Sequence, residues 1–329
     1  MYSMAPNLGV VCVLAAVANA AAPHHLRHGA SCEGELVMVD NRYHPPVPSK
    51  GSIGSQSYWW RALAANQLYV ERANVCRLSV GRPVNFSTKK PGTIAAGRAS
   101  WFKLAYLRSL VEKRLEERRA AAGAATTGEG DGSTDHWLVF LDSDAFFVEP
   151  RLNFVRAMHL EGYDTAGADV LLTREEAIPE LSFSKPYQIN TGVLMIKASA
   201  WTRDFLAAWL SMRGGPCTDL AEVMPGEQGC LIRLLLKNGG KLARQYLPAN
   251  ASERVKLIPM RPFNSPWGMV VRHLWSAQWY LRGAPQKHGP SPDLIGDHLA
   301  RHGVYSPAQF GSTLERALNH SEEYECSVR

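Results

Sequence analysis

A strand, a helix and a second strand follow one another closely near the start of the chain, and this succession restricts the fold more than any other feature. Residues 36–39 are a short apolar run of the kind that forms a buried strand. Residues 58–73 return to helix-forming side chains with an apolar face that includes Trp59 and Leu63, and residues 75–80 resemble a second strand. Three such elements within about forty-five residues are typical of a βαβ unit with parallel strands. We therefore predict an α/β protein.

The rest of the chain continues this alternation. The most regular helix covers residues 99–122, where apolar side chains recur at three- and four-residue steps. Further strands are predicted at residues 137–141, 170–172 and 192–196, and further helices at residues 201–212 and 227–236. We predict a single domain over residues 33–329, with a mixed, mostly parallel sheet flanked by helices. Residues 120–135, rich in Ala, Gly, Thr and Ser, are expected to form a flexible surface insertion in it.

Composition and charge exclude several classes of protein. A chain of 329 residues with 46% apolar and 20% charged side chains is neither disordered nor collagen nor coiled coil. Lys and Arg number 36 against 30 Asp and Glu, and no run of like charge is long enough for a nucleic-acid-binding tail. The expected partner is therefore a small anionic ligand and not a nucleic acid.

The N-terminus resembles a secretory leader. Residues 1–22 contain no charged side chain, and an apolar run at residues 8–18 has the length of a signal-peptide core. Ala18-Asn19-Ala20 then offers the small side chains that signal peptidase requires, although basic residues before the run are missing. A signal peptide or weak membrane anchor predicts a protein of the secretory pathway, in the ER or Golgi lumen or secreted. A buried N-terminal helix is the alternative.

Sequons and cysteines bear on the same compartment. Three Asn-x-Ser sequons, which favour a secreted glycoprotein, begin at Asn85, Asn250 and Asn319. Cys12 lies in the leader, and the other five cysteines form no C-x-x-C pair of the zinc or redox type. Because five is odd, at least one thiol stays free if the others pair, and the partners cannot be read from the sequence. These five are Cys32, Cys76, Cys217, Cys230 and Cys326.

Two aspartates directly follow the most apolar predicted strand. Asp142 and Asp144 come after residues 137–141, and open α/β sheets bind ligands at the carboxyl ends of their parallel strands. In an extended chain, residues i and i+2 project to the same face, so both carboxylates can converge on one cation while Ser143 points away. Carboxylate oxygens suit Mg²⁺ or Mn²⁺, and an ion held there can still bind a diphosphate. We predict a divalent metal site, with a solvated turn as the alternative.

Four segments in this order resemble the motifs of a known enzyme family. They are A-S-W-F-K-L at residues 99–104, H-W-L-V-F-L-D-S-D-A at residues 136–145, N-T-G-V-L-M-I at residues 190–196 and E-Q-G-C-L at residues 227–231. The chain over residues 36–280 resembles nucleotide-sugar-dependent glycosyltransferases with the GT-A fold, and is most similar to the galactosyl-, mannosyl- and xylosyl-transferase family of fungi and plants. The resemblance implies a hexosyl- or pentosyltransferase that moves a sugar from a UDP- or GDP-sugar donor to a glycan or glycoprotein acceptor.

The resemblance also implies residues for the metal and the donor. Asp142 and Asp144 would hold Mn²⁺ or Mg²⁺ against the diphosphate, and Lys103 would offset phosphate charge. Asn190 and Gly192 would bring the chain close to the sugar, because glycine has no side chain. The alternatives are a solvated helix flank for Lys103 and a turn that begins a strand for Gly192.

Catalytic residues and a third metal ligand are implied in the same way. Glu227 and Gln228 match a carboxylate-or-amide pair near the reacting sugar carbon of related enzymes, where a carboxylate could act as base or stabilise positive charge. A glutamate favoured at a helix N-terminus is the alternative for Glu227. We expect His273 as third metal ligand, with Arg272 beside it as a phosphate contact. The family's H-F-x-G continuation is missing here, so His298 is the competing histidine.

Two other classes compete with this interpretation. An Asp-x-Asp after an apolar strand also suits a phosphatase of the haloacid dehalogenase type. That motif needs Thr or Val where this chain has Phe146, and it normally lies near the start of the domain. A catalytically inactive or binding-only relative is the second alternative, and burial of Asp142 and Asp144 without a cleft would favour it.

Overall fold

The protein is built on one central β-sheet that carries helices on both faces. The computed structural model describes residues 10–13, 32, 34–40, 43, 57–83, 94–124, 136–160, 167–175, 188–221, 226–236, 241–265, 268–274, 294–319 and 321–328. The strands are β1 (Val10–Val13), β2 (Glu35–Val39), β3 (Leu78–Pro83), β4 (Trp137–Leu141), β5 (Ala145–Phe147), β6 (Val170–Glu175), β7 (Gln188–Lys197), β8 (Val255–Pro259), β9 (Val271–His273) and β10 (Ser321–Val328). The α-helices are α1 (Tyr58–Arg72), α2 (Ile94–Ala124), α3 (Phe154–Leu160), α4 (Ala200–Ser211), α5 (Gly226–Leu236), α6 (Lys241–Tyr246), α7 (Ala251–Arg254), α8 (Met260–Phe263), α9 (Leu294–Arg301) and α10 (Pro307–Leu318).

The sheet is mixed, with three of its parallel pairs on one side of β4 and one on the other. Eight strands follow the order β1-β10-β3-β2-β4-β7-β6-β8. Neighbours from β10 to β4 are parallel, β7 runs antiparallel between β4 and β6, and β8 is parallel to β6. A separate antiparallel ribbon joins β5 to β9. The predicted fold class, a mixed sheet with mostly parallel pairs and flanking helices, is confirmed.

Apolar strands at the centre of the sheet are buried on both faces. Alternate side chains of β2 and β4 enter two different apolar layers, one formed with α1, α9 and α10 and the other with α2, α4 and α5. The first layer takes Leu36, Met38, Val139 and Leu141, and the second takes Val37, Leu138 and Phe140. A strand covered on both faces gains from apolar residues at every position, which explains the continuous apolar runs in the sequence.

Most predicted elements are present, with shifts at their ends. The strand predicted at residues 137–141 agrees with β4 at both bounds, whereas the second strand begins only at Leu78. Helix α2 is longer than predicted at both ends, because it begins at Ile94 and continues to Ala124. The first five residues of the predicted flexible insertion are therefore helical. Its remaining residues, 125–135, lie outside the described residues.

The N-terminal segment contributes one strand. Val10–Val13, which lie within the predicted leader, pair antiparallel with β10 at the edge of the sheet. The rest of residues 1–22 is outside the described residues. Among the described residues, no helix has the length and apolar character needed to cross a membrane. The leader and its membrane association stay predictions.

Two disulfides join described parts of the chain. Cys32, just before β2, is bonded to Cys76 after α1, and Cys217 is bonded to Cys230 in α5. In a chain-entropy model, a bond that closes a loop of about fifteen residues contributes about 3 kcal/mol of stability. The second bond ties the second turn of α5 to Cys217.

A buried carboxylate ties β2 to the long helix α2. Glu35 is fully buried, and its carboxylate accepts hydrogen bonds from Arg114 Nε at 2.7 Å and from the Ser79 hydroxyl. The ring nitrogen Nε2 of His136 lies 3.5 Å from the same carboxylate. Burial alone would raise the pKa of Glu35, but His136, Arg114 and Ser79 outweigh burial and lower the pKa to about 2.

This lowered pKa predicts a defined loss of stability in acid. Glu35 has an ordinary pKa of 4.5 when the chain is unfolded, so its contribution is complete above about pH 4.5 and is lost as the pH falls to about 2. The difference in free energy of unfolding between the natural protein and Glu35→Gln should shrink by about 3 kcal/mol across that window. Urea unfolding at several pH values measures it. Glu112→Gln, whose side chain is 40% exposed, should show only a small difference, and a constant difference for Glu35→Gln across the pH range would contradict the prediction.

Candidate metal and donor site

Two aspartates and a histidine meet at the carboxyl end of β4. One ligand atom each from Asp142, Asp144 and His273 can be chosen so that all three lie within 4.8 Å of one another. His273 Nε2 is 3.0 Å from Asp144 Oδ1 and 3.8 Å from Asp142 Oδ2. The two aspartate side chains are 39% and 22% exposed, whereas the His273 side chain is 3% exposed. Two accessible carboxylates backed by a buried imidazole suit a divalent ion such as Mn²⁺.

The aspartates lie in a turn and not in an extended strand. Strand β4 ends at Leu141, and the turn is closed by a hydrogen bond of 2.9 Å from Ala145 N to Asp142 O. Asp142 N also donates to Gly192 O of β7 at 2.8 Å. The predicted extended geometry was therefore wrong, although the carboxylates do converge. The ribbon of β5 and β9 then supplies the histidine, because Ala145 is the register partner of His273.

Gly192 leaves the space that the metal ligands occupy. A Cβ atom at this position would lie 2.0 Å from His273 Cε1 and 2.9 Å from Asp142 Oδ2. Gly192 is inside β7 and directly faces the turn that carries the aspartates. His273 and Asp142 thus both require a glycine at position 192, whether or not a sugar is bound.

Asn264, a residue that no sequence motif indicated, orients His273. The fully buried Asn264 donates through Nδ2 to Thr173 Oγ1 and to Asn190 Oδ1, so its Oδ1 is left to accept from His273 Nδ1 at 2.5 Å. His273 therefore carries hydrogen on Nδ1 and presents Nε2 to Asp144. Burial alone would lower the pKa of His273, but Asp144 and Asp142 outweigh burial and raise it. A proton or a metal ion between Nε2 and Asp144 satisfies both groups.

A buried ion pair adjoins the metal ligands. Lys103 Nζ lies 2.8 Å from Glu227 Oε1 and 3.6 Å from Asp142 Oδ1, and it donates to Thr191 Oγ1 at 3.1 Å. Burial alone would lower the pKa of Lys103, but Asp142 and Glu227 outweigh burial and hold the pKa above its usual value. Lys103 is therefore a positive charge fixed beside the predicted metal site, and not a solvated helix flank.

The two predicted catalytic residues differ in accessibility. The Glu227 side chain, in the first turn of α5, is 1% exposed, and its carboxylate accepts from Lys103 and Thr191. The partly exposed Gln228 accepts through Oε1 from Thr191 N at 2.9 Å, and its amide NH₂ has no hydrogen-bond partner among the described residues. Glu227 is thus placed to position its neighbours, while Gln228 offers two hydrogen-bond donors that no described residue accepts from.

Asn190 holds strand β7 in place beside the metal ligands. Its side chain is buried, and Oδ1 accepts from Gly192 N at 2.9 Å and from Asn264 Nδ2 at 3.0 Å. Thr173 Oγ1 donates to Asn190 O at 3.0 Å. Asn190 therefore fixes the path of β7 next to Gly192.

Two predicted candidates lie elsewhere. Arg272 precedes His273 in β9, and successive strand residues point to opposite faces. Burial and the neighbouring Arg301 lower the pKa of Arg272, which places this side chain near α9. His298 of α9 contacts the ring of Phe146 at 5.2 Å and is not among the described groups that could hold the metal ion. The structure therefore brings His273, and neither Arg272 nor His298, to the aspartates.

Comparison with known proteins gives no family and several distant structural similarities. No protein-family model matches the chain, and no curated protein matches it. A glycosyltransferase involved in the glycosylation of the major capsid of PBCV-1 is 13% identical, with a TM-score of 0.47 over 76% of this chain and 96% of that chain. Mouse xyloside xylosyltransferase 1 is 7% identical, with a TM-score of 0.37 over 78% and 99%. An active-site mutant of LgtC is 12% identical, with a TM-score of 0.38 over 81% and 95%.

Proposed function

We propose that the protein is a Mn²⁺-dependent glycosyltransferase that moves a sugar from a nucleotide-diphosphate donor to a hydroxyl group of a glycan or glycoprotein. One observation carries the proposal: Asp142, Asp144 and His273 present three metal-ligand atoms within 4.8 Å at the carboxyl end of the central strand. Carboxyl ends of strands in α/β sheets are where nucleotides and other ligands bind. The imidazole in the set favours Mn²⁺ over Mg²⁺, which prefers oxygen ligands.

The residues around the metal ligands support an anionic donor. Asp142 and Asp144 alone would repel a diphosphate, and the divalent ion, when bound, neutralises this charge and stabilises the leaving diphosphate. Lys103 adds a permanent positive charge 3.6 Å from Asp142. The buried Glu227 holds Lys103 at this position, so we assign Glu227 to positioning and not to proton transfer.

Gln228 is the side chain best placed to contact the donor sugar. Its carbonyl oxygen is held by the backbone N–H of Thr191, so the amide NH₂ group points away from this anchor. In the reaction, the oxygen of an acceptor hydroxyl forms a bond to the anomeric carbon, the bond from that carbon to the diphosphate oxygen breaks, and the hydroxyl proton passes to the leaving diphosphate. An amide can hydrogen-bond sugar hydroxyls or the leaving oxygen during this exchange.

The compartment is also a proposal. The disulfides Cys32–Cys76 and Cys217–Cys230 support an oxidising environment, which agrees with the secretory pathway proposed from the leader. Residues 33–329 would then form the catalytic domain in the ER or Golgi lumen or outside the cell.

Calorimetric titration with UDP and GDP, each with and without Mn²⁺, tests the proposal. We expect one of the two nucleotides to bind in the presence of Mn²⁺, and its affinity to fall at least tenfold without the ion. The matching nucleotide sugars are then assayed for release of the nucleoside diphosphate. Nucleotide binding without hydrolysis or transfer would favour a binding-only relative, and absence of binding with both nucleotides would overturn the proposal.

A further inference from the structure

A cleft that shares no lining residue with the metal ligands lies between two helices and the segment that joins α9 to α10. It has a volume of about 490 Å³ and is formed by the C-terminal end of α1 and one face of α10. Helix α1 leads from the carboxyl end of β2 to the amino end of β3, so Arg72, its last residue, lies at the edge opposite Asp142. The cleft is therefore separate from the metal site, and the proposed function does not use it.

Among the described residues, Arg72 is the cation of this cleft without a carboxylate at ion-pair distance. Arg72 donates from one terminal nitrogen to His302 Nδ1 at 3.1 Å and from the other to His302 O at 2.9 Å. Both acceptors are neutral, and Arg72 forms no ion pair among the described residues. Because arginine can only donate, His302 Nδ1 must be unprotonated, and the ring hydrogen is on Nε2. Burial and the Arg72 charge lower the pKa of His302, in agreement with a neutral ring.

The Glu71 carboxylate, which lines this cleft, already accepts hydrogen bonds from other residues. Glu71 is the one acidic residue among those that line the cleft. It accepts from Arg316 Nε at 2.7 Å and from Gln67 Nε2 at 2.9 Å. The charges of Glu71 and Arg316 compensate each other, so the charge of Arg72 remains as the net charge of the lining.

Two further polar side chains of the cleft have donors without an acceptor among the described residues, whereas Thr313 already donates to Gln309 O at 2.9 Å. Gln309 accepts through Oε1 from Ser306 N and Tyr305 N, and no described residue accepts from its NH₂ group. The Ser312 hydroxyl oxygen accepts from Arg316 at 3.1 Å, and its own hydrogen has no acceptor among the described residues. With Arg72 and the Nε2–H of His302, the cleft therefore presents an excess of donors over free acceptors.

We propose that this cleft binds a small oxyanion, carried by a phosphate monoester or by the carboxylate of an acidic sugar. An acceptor-rich and negatively charged group would accept from these exposed donors and compensate Arg72 at the same time. The hydroxyl and amide donors of Ser312 and Gln309 hold further oxygens of the same ligand. The cleft is a second binding site, whether or not the metal site transfers sugar.

Titration of the full chain, freed of metal by a chelator, with inorganic phosphate, glucuronate and glucose tests this proposal. We expect saturable binding of phosphate, glucuronate or both, and none of glucose. Phosphate alone would assign a phosphate ester, glucuronate alone an acidic sugar, and binding of both an oxyanion of either kind. Absence of binding with both anions would overturn the proposal.

Four variants locate the binding. Arg72→Met should weaken anion affinity at least tenfold, whereas Arg119→Met, which removes an exposed arginine of α2, should leave it unchanged. Glu71→Gln removes the acidic residue of the lining and should strengthen binding severalfold, a gain that loss of folding cannot mimic. Asp144→Asn should retain the binding. The assignment to this cleft would be overturned if Arg72→Met bound the anion as tightly as the natural protein does. It would also be overturned if Asp144→Asn were the one variant that lost anion binding.

Discussion

Replacing Asp144 with alanine is expected to reduce Mn²⁺-dependent turnover of a nucleotide sugar at least a hundredfold. The change removes the carboxylate that lies 3.0 Å from His273 Nε2 and leaves two of three ligand groups. Loss of one metal ligand weakens the binding of the ion that would neutralise and orient the diphosphate. The charge stabilisation that such an ion supplies is worth several kcal/mol. Release of nucleoside diphosphate measures turnover, and calorimetry with Mn²⁺ alone measures the metal affinity.

Asp204→Ala is the matched control for this variant. Asp204 is an exposed aspartate of α4 that pairs with the adjacent Arg203, far along the chain from the metal ligands. It should keep natural turnover and natural Mn²⁺ affinity. Full turnover by Asp144→Ala at the same Mn²⁺ dependence would refute the metal assignment.

Gly192→Ala should have an effect of similar size from a single methyl group. The new Cβ would lie 2.0 Å from His273 Cε1 and 2.9 Å from Asp142 Oδ2, so the histidine and the aspartate must both move away. Displacing two metal ligands should lower Mn²⁺ affinity and turnover at least a hundredfold. Calorimetry and the turnover assay measure the loss, and thermal unfolding shows how far the strain spreads into β7.

Gly311→Ala provides the comparison for this glycine. Gly311 lies within α10, and a Cβ there would meet nothing within 4 Å. Alanine is the better helix former, so this variant should keep full activity and unfold at the same or a slightly higher temperature. If Gly192→Ala bound Mn²⁺ as the natural protein does, the close packing of glycine, histidine and aspartate described above would be wrong.

The sequence could predict the strands and the aspartates because these signals are local. Residues 137–141 are apolar at every position, and burial of β4 on both faces explains this run. The resemblance of residues 190–196 to a known motif placed Gly192 near the donor, and β7 does bring it against Asp142. The family pattern indicates His273 as a metal ligand, and the β5–β9 ribbon brings this histidine next to the aspartates.

Other site residues carry no local signal. Asn264 contacts His273, Thr173 and Asn190, which are separated from it by 9, 91 and 74 residues, and an asparagine in a loop does not disclose such contacts. For Arg272, a local signal does exist. Successive side chains of a strand point to opposite faces, so Arg272 and the adjacent His273 cannot both face the aspartates from one strand. The prediction relied on their adjacency in sequence and ignored that geometry.

The distance along the chain between the metal ligands has a consequence for biosynthesis. Asp144 precedes His273 by 129 residues, and Asn264, which orients the histidine, is also synthesised late. A chain interrupted before β9 would contain both aspartates, the glycine and the lysine, yet would lack the third ligand. Metal capture would therefore require that the chain has been synthesised through β9 and that this segment has folded onto the aspartates.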